Sequence, residues 1–194
     1  MIKRIEIILG CMFSGKSTEL LRRLSRYEAI NIDTLLINHS FDTRTGNSIK
    51  THDNLEKKAL KVKTLMEIVN TNEYLNSNVI GIDEAQFFTD LKEFVLYSEK
   101  NKTIIIAGLD GDSNREPFGE ILNCIPLCDE VVKLTAMDMM KNDGTKAIFS
   151  LKKKIINREC TPDELNTFNN SIDIGSEDKY LAVSRDNFLQ TKDK

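Results

Sequence analysis

The sequence predicts an α/β fold whose core is a parallel sheet with helices on both faces. Two observations predict it. Runs that are apolar throughout, "IEIIL" (5–9), "VIGID" (79–83) and "TIIIAGLD" (103–110), have the composition of strands buried on both sides. Between them lie stretches whose apolar residues recur at helical spacing, which is the alternation of βα units. A chain of 194 residues has room for one ordinary domain, or one domain with a small appendage. Its 40% hydrophobic and 29% charged residues are the mix of a globular protein.

The elements follow in order. "IEIIL" reads as the first strand and leads into a helix over about 16–28, with Leu20, Leu21, Leu24 and Tyr27 on one face and Arg22, Arg23 and Arg26 elsewhere. "TLLIN" (34–38) is a second strand, and a helical pattern spans about 64–75. "VIGID" is the third strand; Leu91, Phe94 and Val95 then mark a helix at i, i+3, i+4. "TIIIAGLD" and "EVVKL" (130–134) complete the set of strands. After Ala136 the chain turns more polar, with shorter apolar runs, and reads as a small second unit of strands and loops. Within it Thr161-Pro162-Asp163-Glu164 has capping-box spacing for a short helix.

Composition narrows the function classes. The formal charge is −3, and the most basic stretch, "SLKKKIINR", is short, which opposes a nucleic-acid-binding role. No run has the length of a membrane span. The N-terminus enters a strand pattern directly and carries no signal-peptide pattern, so a cytoplasmic location is expected. Cys11, Cys124, Cys128 and Cys160 include no C-x-x-C pair and are expected as reduced thiols, several packing as small hydrophobes.

The chemistry is carried first by "GCMFSGKS" (10–17), a full match to G-x-x-x-x-G-K-[ST] between a strand and a helix. In that context Gly10, Cys11, Met12, Phe13, Ser14 and Gly15 form a loop whose N–H groups wrap phosphate oxygens, and the helix aims its positive end at them. Lys16 reaches the terminal phosphates and the Ser17 hydroxyl can ligate Mg²⁺. The sheet is therefore expected to be of the P-loop NTPase type, holding a nucleoside triphosphate. Asp83 ends an apolar strand, where ligands of parallel sheets collect, and suits the Mg²⁺ partner of Ser17. Glu84, pointing another way, can face a second substrate and take a proton from a hydroxyl or from water. To this point an ATPase and a kinase are equally supported.

Six stretches then resemble the thymidine kinase family of the cytosolic, poxviral and bacterial type: "GCMFSGKSTELLRR", "DTRTGNSIKTHD" (42–53), "VIGIDEAQFF" (79–88), "GLDGDSNREPFG" (108–119), "VVKLTA" (131–136) and "GSEDKY" (175–180). The resemblance implies transfer of the γ-phosphoryl group of ATP to the 5′-hydroxyl of thymidine by a homotetramer. It implies a kinase domain over 1–136 and a small domain over 137–194, the lasso, closing over the nucleoside. It makes Glu84 the general base and Asp83 the metal partner, puts Gln86 in the nucleotide site, and sets Asp42 and Arg44 at the phosphates. Met12, Phe87, Leu109 and Phe118 match positions lining the base pocket, Tyr180 a tyrosine on the sugar, and Ser171, Ile172, Asp173, Ile174 and Gly175 the loop whose backbone covers the base. His52 matches the family motif without a derivable role, and His39 carries less information still.

Two departures qualify the resemblance. Many members hold a structural zinc with four cysteines; here Asp138, Lys141, Ser184 and Asn187 stand at those places, and no zinc is expected. Ser113 stands where an aromatic residue faces the base, which leaves broader pyrimidine acceptance open. Two other classes remain: a nucleic-acid-linked P-loop ATPase, opposed by the charge, and a degenerate nucleotide-binding scaffold, opposed by the intact Lys16, Ser17, Asp83 and Glu84.

Overall fold

The computed structural model describes residues 3–41, 48–50, 56–141, 143–153 and 179–192. Ile5–Gly10 (β1) leads through the loop into Lys16–Glu28 (α1) and then Thr34–His39 (β2). Two short antiparallel strands, Ser48–Lys50 (β3) and Glu56–Lys58 (β4), precede Leu60–Val62 (β5). A 3-10 turn at Met66–Ile68 and the short helix Asn72–Asn76 (α2) lead to Val79–Asp83 (β6). There follow a 3-10 turn at Ala85–Phe87, the helix Leu91–Ser98 (α3), Thr103–Gly108 (β7), a 3-10 segment at Ile121–Leu127, and Glu130–Leu134 (β8).

The main sheet has the order β5-β2-β6-β7-β1-β8, and each neighbouring pair is parallel. Its two faces are sorted by the period of two along each strand. Ile8, Leu36, Ile105 and Ala107 pack against Leu20, Leu21 and Leu24 of α1. Ile7, Ile37, Ile82, Ile104 and Ile106 face Leu91, Phe94 and Val95 of α3 together with Ile121 and Cys124. Each fully buried leucine or phenylalanine here contributes about 1.5–3 kcal/mol. The expected α/β fold, a parallel sheet with helices on both faces, is therefore the observed one.

An ion-pair network fixes α1 to the sheet. The Arg23 guanidinium meets Glu6 of β1 at 2.5 Å, Glu19 of its own helix at 2.8 Å and Glu130 of β8 at 3.0 Å, with little of Arg23 or Glu6 open to water. It sets the helix whose first residues, Lys16 and Ser17, end the loop.

One sequence expectation changes. The helix expected over 64–75 is two pieces, the 3-10 turn and α2. Thr71 breaks it: its backbone is extended, its hydroxyl donates to the Ile68 carbonyl and accepts the Tyr74 N–H, which is the local bonding by which Thr competes with helix. "EVVKL" forms β8, but on the sheet's edge, so its residues alternate between half-buried and exposed. The short parallel strand β5 and a final helix carried no sequence signal.

Past β8 the chain forms Ala136–Met137 (β9), Lys146–Ala147 (β10), Phe149–Lys152 (β11), Tyr180–Val183 (β12) and Arg185–Lys192 (α4). β9 pairs antiparallel with β10, and β11 with β12. Leu151, Val183 and Phe188 form a small core of their own. The capping-box segment at Thr161–Glu164 lies outside the described residues.

Candidate active site

The loop after β1 is held open by its backbone. Phe13 (φ 64°) and Gly15 (φ 81°) are in the left-handed region, and Gly10 has no room for a side chain. A Cβ at Gly10 would lie 2.6 Å from Ser14 Oγ and 2.7 Å from the Leu134 carbonyl. The Ser14 hydroxyl is buried in this cradle with no hydrogen-bond partner, a polar atom of the kind a phosphate oxygen satisfies. The Lys16 ammonium donates to the Cys11 carbonyl at 2.8 Å. Burial pushes the pKa of Lys16 down, against the pull of the Glu84 and Asp83 carboxylates nearby.

Asp83 closes the other side. It is buried at the end of β6, and the Ser17 hydroxyl donates to it. Burial, reinforced by the Glu84 charge, holds its carboxyl above the ordinary carboxylate range, while Ser17 and Lys16 pull the other way. A carboxylate desolvated in this way, bonded to a hydroxyl beside a phosphate loop, is a fit for a divalent cation, whose charge restores the ionised form.

Glu84 has φ 52° and ψ 40°, a left-handed conformation that a non-glycine residue holds only where its surroundings enforce it. Gln86 does part of that. Its Nε2 donates to Glu84 Oε2 at 2.6 Å, and its Oε1 accepts the Leu109 N–H just past β7 at 3.0 Å. Gln86 is thus committed at both ends as a brace on Glu84. Phe87 lies against Phe118, edge to face at 5.5 Å. Behind Phe87 stands His39, buried at the end of β2. Its Nδ1 accepts the Phe41 N–H at 3.1 Å, so its Nε2, 3.1 Å from the Lys63 carbonyl, carries the proton and donates there. Burial lowers its pKa.

The structure therefore brings the loop, Asp83, Glu84, Gln86, Phe87, Leu109 and Phe118 together at the carboxyl ends of β1, β6 and β7. Tyr180 opens β12 in the small unit, opposite Lys152. Asp42, Arg44, His52, Cys160 and Ser171 to Gly175 lie outside the described residues. Ser113 sits in a turn closed by the Asp112 carboxylate, which accepts the Asn114 and Glu116 N–H groups.

One residue escaped the sequence reading. Ser150 on β11 accepts the Met12 N–H at 2.9 Å, so one N–H of the phosphate loop is spent on the small unit. The pair is separated by 138 residues, and nothing local marks the serine. Beside this joint is a cavity of about 230 Å³ bordered by Cys11, Asp110, Lys133, Phe149 and Ser150. Asp110 and Lys133 form an ion pair of 2.5 Å on its wall. Among the described residues no helix is long and apolar enough to cross a membrane.

Comparison with known proteins gives the family. The family model described as thymidine kinase matches residues 3–188. The chain is 52% identical over 182 residues to the thymidine kinase of Yaba monkey tumor virus (strain VR587), covering 93% of this chain and 92% of the relative. It is 47% identical over 185 residues to the cytosolic thymidine kinase of Cricetulus griseus, covering 94% and 71%. It is 41% identical over 182 residues to the thymidine kinase of Raccoon poxvirus, covering 93% and 94%. With a family match over nearly its whole length and relatives this similar, the chain belongs to the thymidine kinase family.

Proposed function

We propose that this protein transfers the γ-phosphoryl group of ATP to the 5′-hydroxyl of thymidine. The observation that carries the reading is the Asp83–Glu84 step. One carboxylate is bonded to Ser17 behind the phosphate loop, and the next is braced by Gln86 beside the aromatic pair Phe87 and Phe118. In this reading the two adjacent residues serve two different substrates.

In this mechanism the loop N–H groups other than that of Met12, with Ser14 and Lys16, hold the triphosphate, and Ser17 with Asp83 would hold Mg²⁺. When bound, the cation neutralises charge on the phosphate oxygens. Glu84 takes the proton of the 5′-hydroxyl as its oxygen forms a bond to the γ-phosphorus. The bond from that phosphorus to the β–γ bridging oxygen breaks, and ADP leaves with the electron pair. Glu84 then returns its proton to solvent. Phe87, Phe118, Met12 and Leu109 supply apolar surface for the base, Tyr180 contacts the sugar, and the backbone of 171–175 covers the base. Asp42 and Arg44 act at the phosphates, where an arginine stabilises the charge of the transferring group. Residues 1–136 act as the kinase domain and 137–194 as the acceptor's cover; the Met12–Ser150 bond supports their working together. We assign a homotetramer in the cytoplasm on the family resemblance alone, and gel filtration with light scattering tests the assembly.

The experiment is incubation with Mg-ATP and thymidine, deoxyuridine, deoxycytidine or no acceptor, following ADP and nucleoside monophosphate. Equal amounts of ADP and thymidine monophosphate are expected. ADP without monophosphate would make the protein an ATPase, and neither product would make it a scaffold. Ser113 gives the deoxyuridine and deoxycytidine arms their purpose, because a serine in place of an aromatic wall relaxes discrimination between bases.

A further inference from the structure

Asp138 is far in sequence from Ser184 and Asn187, and the three converge in a buried cluster, each at most 6% exposed. Asp138 Oδ2 accepts the Ser184 N–H at 2.7 Å and the Asn187 side-chain N–H at 2.8 Å. Its Oδ1 accepts the Met140 N–H at 2.8 Å. Both oxygens are thus spent on the protein. Ser184 immediately precedes α4, and its hydroxyl accepts the Asn187 N–H at 3.4 Å, so the carboxylate also lies at the positive end of that helix. Neighbouring backbone bonds close the same unit. Met139 N–H donates to the Ala182 carbonyl, Ile148 N–H to that of Val183, and Asp138 N–H to that of Thr145.

These residues do not fit a structural zinc. One carboxylate with both oxygens engaged, a hydroxyl and a carboxamide are not a tetrahedral set of thiolates or imidazoles, and Lys141 is exposed and cationic. The cluster does something else. Asp138 anchors Ser184 at the end of β12, and β12 begins four residues before that serine, with Tyr180. Across the pair, β11 carries Ser150, which holds the phosphate loop through Met12.

We propose that Asp138 is a positioning residue for acceptor binding: through Ser184 and Asn187 it forms a metal-free clasp that fixes β12 and sets Tyr180 against the nucleoside. The inference rests on the thymidine kinase reading above. The clasp does for the small unit what a bound ion would do, with one buried anion as the common acceptor of three donors.

The test is steady-state kinetics of Asp138→Asn and of the milder Asn187→Ala. In Asp138→Asn an amide replaces an acceptor oxygen among donors, and a buried donor loses its partner. KM for thymidine should rise about tenfold or more, the scale of one charge-assisted hydrogen bond. KM for ATP should stay within about twofold and kcat within about threefold, because the clasp bonds to the end of β12 while the loop is held one strand away, by Ser150 of β11. The double variant Asp138→Asn with Asn187→Asp restores a carboxylate–amide pair in reverse, and thymidine KM should recover in part; general loosening of the fold would not recover. Metal analysis of purified wild-type protein should find zinc well below one atom per chain. A zinc-selective chelator, with Mg²⁺ kept in excess, should leave thymidine KM unchanged. An unaltered thymidine KM in both single variants would overturn the clasp while wild-type turnover upholds the kinase reading. One zinc per chain would also overturn it. A wild-type protein that phosphorylates no nucleoside would remove the reading and the clasp together.

Discussion

Gly119→Ala isolates the brace behind Glu84. Gly119 has φ 61°, and a Cβ there would lie 2.1 Å from the Gln86 carbonyl oxygen and 2.9 Å from its carbonyl carbon. Both are backbone atoms, so no rotamer change can relieve the clash. Ordinary contact begins near 3.4 Å, so the two segments must separate by about 1.3 Å. Gln86 would carry that displacement into its 2.6 Å bond with Glu84. A misplacement of about 1 Å at a catalytic group costs on the order of a hundredfold in rate. Stability should fall by about 2–4 kcal/mol, from overpacking and from alanine in the left-handed region.

Gly144→Ala is the control, since Gly144 also has a positive φ, 84°, and a Cβ there meets nothing within 4 Å. It should cost only the backbone strain, about 1 kcal/mol, with kcat unchanged. The assay is kcat for thymidine and ATP together with thermal melting of both variants. If Gly119→Ala melts like Gly144→Ala and turns over like wild type, the reasoning from Gln86 to Glu84 is wrong.

Two further outcomes are expected. Lys102 is buried, and its ammonium donates to the carbonyls of Tyr74 at 2.7 Å, Leu75 at 3.3 Å and Ser77 at 2.6 Å, over the Tyr74 ring. Lys102→Met should destabilise by about 2–3 kcal/mol, or roughly 4–12 °C in Tm, because carbonyls at the end of α2 lose a charged donor; both KM values should hold, and a wild-type Tm would contradict this. His39 has its pKa lowered from 6.5 by burial, with the Lys63 carbonyl and Asp90 opposing and the Lys63 charge assisting. The unfolded chain therefore binds this proton more readily, and the stability His39 contributes is full above about pH 6.5 and is lost as pH falls below it. Protonated Nδ1 can no longer accept the Phe41 N–H, so the Tm loss of wild type between pH 7.5 and 5.5 should shrink in His39→Gln; equal losses would exclude His39.

Local chemistry explains which features were legible in the sequence. The loop, α1 and the Asp83–Glu84 step are contiguous segments whose residue types state their own geometry: glycines at a turn, a leucine stripe, carboxylates ending an apolar strand. What stayed hidden depends on partners distant in sequence. Gln86 reads as a nucleotide-site residue, and only the fold reveals that Leu109 holds its other end. Ser150 and the Asp138 cluster lie in a polar tail, where their partners stand 138, 46 and 49 residues away. Thr71 was visible as a residue, but its competition with the helix over 64–75 depends on which carbonyl its hydroxyl finds. α4 went unseen because "RDNFLQTK" holds two apolar residues and relies on Phe188 entering a core supplied by β11 and β12.

Turnover of Glu84→Gln, with ATP affinity determined on the same protein, tests most directly whether this carboxylate works between donor and acceptor. The side chain keeps its size and loses its basicity. ATP should bind as in wild type while kcat for thymidine phosphorylation falls by about two to four orders of magnitude, the usual share of a positioned base. A variant that binds ATP normally and phosphorylates thymidine at the wild-type rate would contradict the account.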